Sequence, residues 1–120
     1  MIAIADNLNT RNGAYIDALI KRDKKALSEI IEKIQASGAD MINVQCSLDG
    51  TGDEDMLPWV IDILSDQTAS SLALDSRNIR ALEKTIPLCK KPPLVNFISK
   101  TEPEDEESLL SLVSGSGASL

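Results

Sequence analysis

The feature that most constrains this chain is an alternation: apolar runs of strand length are followed, unit after unit, by stretches with helical period. Parallel strands need a long crossover between them, and a helix is the usual one, so this order specifies a parallel sheet with helices packed against it. The strand candidates are Ile2 to Ala5, Met41 to Cys46, Ser71 to Leu74 and Leu94 to Ile98. Between the first two, Tyr15, Ile16, Leu19 and Ile20 share one side of a short helix that stops near Arg22. A longer helix from Lys24 to Ser37 follows Asp23 as N-cap, with Leu27, Ile30, Ile31 and Ile34 at i, i+3, i+4 and i+7. Gly38 supplies a left-handed C-terminal stop. Further helices are expected from Asp53 to Gln67, where Pro58 threatens a kink, and from Asn78 to about Lys90. A last one opens on the capping box Thr101-Glu102-Pro103-Glu104 and runs to about Ser114.

After that helix, Gly117-Ala118-Ser119 repeats the Gly38-Ala39-Asp40 pattern that precedes the second strand, so a fifth strand is expected to begin at Ala118. The expected fold is therefore α/β, a parallel βα repeat of four βα units and the start of a fifth strand. That is about half of a (β/α)₈ TIM barrel, whose whole length is roughly 250 residues. The 120 residues form a single domain, 1–120, the N-terminal part of such a barrel. A complete four-stranded open α/β domain with a Ser/Gly tail is the alternative. An incomplete barrel leaves two sheet edges unpaired, so a homo-oligomer, a homodimer first of all, is expected.

The 12 basic and 19 acidic side chains leave a net charge of −7, which repels a nucleic-acid backbone. The sequence has no histidine, which excludes a Ser-His-Asp triad, a Cys-His pair and His-ligated zinc. Cys46 and Cys89 form neither a CxxC pair nor a disulfide framework and read as small buried hydrophobes of a reducing compartment. Neither a signal peptide nor an apolar stretch approaching the ~20 residues of a membrane span is present, so a cytoplasmic protein without a membrane segment is expected.

Ligands of parallel α/β architectures sit at the carboxyl ends of the strands. That rule gathers Asp6, Asn7 and Asn9 from the first strand, Asn43 and Gln45 from the second, Asp75 and Asn78 from the third, and Asn96 and Ser99 from the fourth. Alternation turns Asn43 and Gln45 to one face, and Asn7 and Asn9 likewise. The set is rich in amides and carboxylates, with no glycine-rich cradle or Arg fork for phosphate, and suits an uncharged, amide-like ring. Asp75 has a second reading as a helix cap, because Asp75-Ser76-Arg77-Asn78 holds three capping residues. Asn96 is harder to read as structural, since asparagine is depleted in strands and costly to bury alone. Trp59 reads as packing, and the acidic run from Glu102 to Glu107 as a solvated helix start.

Leu8-Asn9 through Gly13, Ile16, Ala18-Leu19-Ile20 and Arg22-Asp23, then Gly38-Ala39, Leu74-Asp75-Ser76 with Asn78-Ile79, Ala81-Leu82-Glu83, and Val95-Asn96 together resemble the pterin-binding methyltransferases. That family is similar in fold to dihydropteroate synthase and moves the methyl group of methyltetrahydrofolate to the cobalt of a corrinoid protein. The resemblance implies that Asp75 and Asn96 bind the pterin, with Asn7, Asn9, Asn43, Gln45 and Ser99 as further candidates around it. It also implies a cobalamin or other corrinoid carried by a partner protein. The donor that activates N5 and a second pterin-binding aspartate come, in that family, from strands that would lie beyond Leu120, so this chain alone is expected to be inactive. Where the family commonly reads Asp-x-Asn in strand two, this chain has Asn43-x-Gln45, one charge fewer and one amide longer. Two other readings stay open: a non-catalytic half-barrel that assembles through its sheet edges, and a dihydropteroate synthase relative.

Overall fold

The structure is a computed structural model and describes residues 3–9, 11–47, 52–76 and 78–96. Its elements run β1 (Ile4–Leu8), α1 (Gly13–Lys21), α2 (Lys24–Ala36), β2 (Met41–Gln45), α3 (Asp53–Gln67), β3 (Ser71–Asp75), α4 (Ile79–Thr85), a 3₁₀ turn (Ile86–Leu88) and β4 (Leu94–Asn96). The strands form one sheet in the order β1-β2-β3-β4, every pair parallel. Sequential order with right-handed crossovers sends every helix to the same face, which is how a β/α barrel winds; a doubly wound sheet would reverse its order midway. The expected parallel βα repeat is what forms, an arrangement consistent with part of a barrel.

Alternation along the strands divides the sheet. Ile42, Val44, Leu72, Leu74 and Val95 are buried under the helices and share one core with Leu27 and Ile31 of α2, Leu57, Ile61 and Leu64 of α3, and Leu82 of α4. Met41, Asn43, Gln45, Ser71 and Asp75 alternate with them onto the opposite face and are only half-buried. Ile4, in register with Met41, is 57% exposed there.

Local signals account for most element ends. Asp23 caps α2 by accepting from Ala26 N–H at 3.1 Å, as its position predicts. Gly38 takes φ +75°, the left-handed conformation expected of it. α1 stops at Arg22, a non-glycine residue at φ +53°. The helix α3 continues through Pro58 without ending, because Pro58 sits early enough that little of the backbone ladder is lost.

Two expectations are corrected and one open alternative is decided. The first strand is Ile4–Leu8, not Ile2 to Ala5: the polar Asp6 and Asn7 lie inside it, where the register with β2 shifts between Ala5 and Leu8. Three steps of β1 span two of β2, so a bulge places an extra polar residue in the ladder. The helix after β3 is α-helical only over Ile79–Thr85 and tightens into the 3₁₀ turn at Ile86–Leu88, because Pro87 has no N–H to continue the ladder to Lys90. Finally, the helix cap after β3 is Asn78, not Asp75: Asn78 Oδ1 accepts from Ala81 N–H at 3.1 Å. The expected helix at 101–114, the strand beginning at Ala118 and residue Ser99 lie outside the described residues.

Candidate functional site

The carboxyl ends of β2, β3 and β4 are level. Gln45 pairs in register with Asp75, and Asp75 with Asn96, so three residues from three strands form one row across the top of the sheet. Neighbouring strands lie roughly 4.8 Å apart, which makes that row about 10 Å long, the width of a fused bicyclic ring. Gln45 and Asp75 are half-buried, open enough to meet a ligand and covered enough to strengthen a polar contact with it. Asn43 stands one step of the same face below, also half-buried.

The β1 side is built differently. Asn43 Nδ2 donates to Asp6 Oδ1 at 3.2 Å, and Arg11 Nη2 reaches Asp6 Oδ2 at 3.4 Å with both partners well exposed. Asn7 is exposed, and its carbonyl accepts from Asn12 Nδ2 at 3.0 Å. Asn9 is buried to 8% exposure; its Oδ1 accepts from Arg11 N–H at 2.8 Å and its Nδ2 donates to the Asp6 carbonyl. Its amide therefore folds the β1–α1 turn, the local bonding that makes asparagine a turn residue. The structure brings Gln45, Asp75 and Asn96 together, sets Asn43 and Asp6 beside them as a bonded pair, and gives Asn9 to the main chain.

Two buried contacts behind the row were not legible from spacing. Tyr15 Oη lies 3.1 Å from Cys46 Sγ, both fully buried, and Ser76 Oγ donates to Asp53 Oδ2 at 2.5 Å. The partners lie 31 and 23 residues apart, and only the conjunction of a helix-opening aspartate with a serine just past β3 hints at the second. Burial pushes the Cys46 thiol up to about 12, reinforced by the Asp53 carboxylate against the Tyr15 hydrogen bond and Arg22. Burial likewise raises Cys89 to about 11, and raises the Tyr15 phenol, with Cys46 and Asp53 adding to it. Burial thus favours the protonated thiol, the less nucleophilic form, at both positions. Among the described residues no group of His, Cys, Asp or Glu is arranged to hold a metal ion. The strand ends of β1, β2 and β3 offer amides and carboxylates for hydrogen bonding.

The chain is similar to a methylcorrinoid:tetrahydrofolate methyltransferase of Eubacterium limosum. The two are 32% identical over 102 residues, which cover 82% of this chain and 36% of the methyltransferase. This chain thus spans about a third of the length of the curated relative it matches. No family model matches it. Among the described residues no helix is long and apolar enough to cross a membrane.

Proposed function

We propose that this chain is the pterin-binding N-terminal part of a TIM-barrel methyltransferase that works between tetrahydrofolate and a corrinoid protein, in the cytoplasm and as a homodimer. The observation that carries the reading is the level row of Gln45, Asp75 and Asn96 at the carboxyl ends of parallel strands, in a chain similar to an enzyme named for that pair of substrates. A carboxylate at Asp75 suits the 2-amino-4-oxo-pyrimidine edge, which offers two parallel N–H donors much as a guanidinium does. An asparagine at 96 adds one donor and one acceptor. Held by that edge, the ring presents N5 to the corrinoid, and orientation of this kind supplies much of the rate of an in-line transfer. The relative's name runs from methylcorrinoid to tetrahydrofolate, whereas the sequence resemblance implies methyltetrahydrofolate as donor; the same pterin contacts serve both directions. The donor that activates N5 is assigned to none of the described residues.

Isothermal titration of methyltetrahydrofolate and tetrahydrofolate against the intact protein and Asp75→Ala tests this. Loss of the paired contact should cost roughly 2–5 kcal/mol, a tens- to thousands-fold rise in Kd. Equal affinity in both proteins removes the binding assignment. A non-catalytic assembly is the second reading, favoured by Ile4 and Met41 lying side by side on the open face with Ile4 57% exposed. Such a protein would oligomerise yet bind neither folate.

A further inference from the structure

The β3–α4 junction is clamped from behind, and the clamp is expensive. Asp53 is only 4% exposed, and of its two carboxylate oxygens one accepts from Ser76 Oγ at 2.5 Å while Oδ1 has no partner among the described residues. A carboxylate buried with half its capacity unmet costs free energy rather than supplying it. Its place in the first turn of α3 offsets part of that, since the helix dipole favours an anion there. Gly52, the N-cap residue of α3, sits at φ +94° and contributes no side-chain cap bond.

What the contact does is mechanical. Ser76 follows Asp75 directly and is itself 3% exposed. Its hydroxyl gives its proton to Asp53 and accepts from Asn78 N–H at 3.1 Å, while Asn78 Oδ1 accepts from Ala81 N–H at 3.1 Å and starts α4. One continuous relay therefore joins the start of α3, the residue after Asp75 and the start of α4. The 2.5 Å separation is that of a strong hydroxyl–carboxylate bond, short enough to fix the rotamer of Ser76. With β2 and β4 flanking Asp75 in register, the relay removes the remaining freedom of the chain where β3 ends.

We infer that Asp53, acting through Ser76, is a positioning residue for Asp75, holding the end of β3 in the orientation that receives the pterin edge. This rests on the folate reading above. Sites held by supporting hydrogen bonds lose function when the support is loosened, even with every contacting group intact.

The test uses the intact protein as wild type, Ser76→Ala, Asp53→Asn, the double variant Asp53→Asn/Ser76→Ala, and Asp75→Ala. Two readouts are taken: methyltetrahydrofolate affinity by titration calorimetry, and amide hydrogen exchange at residues 75–79. Ser76→Ala leaves a buried carboxylate unbonded and risks misfolding, whereas the double variant removes the bond without that charge and keeps the question answerable. Expected are a rise in Kd of roughly tenfold or more in Ser76→Ala and the double variant, and retention within about threefold in Asp53→Asn, whose amide oxygen still accepts from Ser76. Exchange at 75–79 should quicken in the two variants lacking the hydroxyl while the amides of Val44 and Leu74 keep their protection. A purely structural role predicts lower global stability with unchanged affinity in the folded fraction, and that result overturns the inference. So does unaltered exchange at 75–79, whatever the pterin does. Wild type and Asp75→Ala that bind the folate equally overturn the folate reading instead, while the exchange data decide separately whether the strand end is held through the Ser76 hydroxyl bonded to Asp53.

Discussion

The two faces of the sheet use the same strands for opposite ends. On the helix side, Ile42, Val44, Leu72, Leu74 and Val95 are each between 0 and 7% exposed and lock into one core with the four helices. On the other side, Met41, Asn43, Gln45, Ser71 and Asp75 are half-buried and four of the five are polar, with the small Ala73 buried among them. Apolar burial is concentrated on the first face and half-buried polar groups on the second, and a period of two keeps them apart on the same five-residue strands. The row of Gln45, Asp75 and Asn96 is held in place by a register that the apolar face enforces, because a slip of one residue would bury the amides and expose the core.

That division is broken most sharply on the apolar side. Leu74→Ala removes a fully buried side chain next to Asp75 in sequence and should cost about 2–5 kcal/mol of unfolding free energy. Chemical denaturation measures it. The counterpart on the open face, Asn43→Ala, loses the 3.2 Å bond to Asp6 and should cost about 1 kcal/mol or less. Comparable losses in the two variants would mean that the open face is also core.

Between those two extremes lies a pH effect that belongs to the buried side alone. Cys46 has its pKa raised from 9.0 to about 12 by burial. A thiol in the unfolded chain ionises near pH 9, while the folded protein keeps it protonated, so the stability it contributes is complete below pH 9 and is lost as pH climbs towards 12. The slope approaches roughly 1.4 kcal/mol per pH unit for one such group. Denaturation at pH 8.0 and 10.5 should therefore lose less stability in Cys46→Ala than in wild type, by about 2 kcal/mol. An identical loss in both proteins would place the alkaline sensitivity in Tyr15 and Cys89 instead.

The legible part of this fold is the part where local and long-range demands agree. Met41 to Gln45 alternates between half-buried and buried, and Ser71 to Asp75 does so except at the buried Ala73, so both the strands and the face that carries Asn43, Gln45 and Asp75 could be read before any pairing was known. The caps at Asp23 and the stop at Gly38 are equally local. The misread elements are those settled by a partner far along the chain. Asp6 and Asn7 argue against a strand by propensity, yet β2 recruits them by tolerating a bulge. Asn9 is the exception: it has the composition of a site residue, but its amide bonds the Asp6 carbonyl and the Arg11 N–H, three and two residues away, a turn pattern local in sequence. The hydrogen bond from Ser76 to Asp53 depends on α3 and β3 lying side by side, which no window of sequence contains.

The smallest effect tests the surface of the helix layer, where the comparison predicts that polar contacts matter as little as on the open face. Arg22 ends α1 at φ +53° and lays its guanidinium 5.3 Å from the centre of the Trp59 ring. Two terms of similar size meet there: a left-handed non-glycine residue costs about 1 kcal/mol, and an exposed cation–π contact returns about 0.5–1 kcal/mol. Arg22→Ala keeps the backbone cost and loses the ring contact, so it should destabilise by about 0.5–1 kcal/mol. Arg22→Gly loses the same contact but relieves the backbone, and should fall within about 0.5 kcal/mol of wild type. Denaturation of the two variants side by side isolates the backbone term, since the ring contact is absent from both. If glycine proves no better than alanine, the left-handed turn carries no strain at Arg22, and the junction between α1 and α2 owes its shape to the burial of Tyr15 and Leu19.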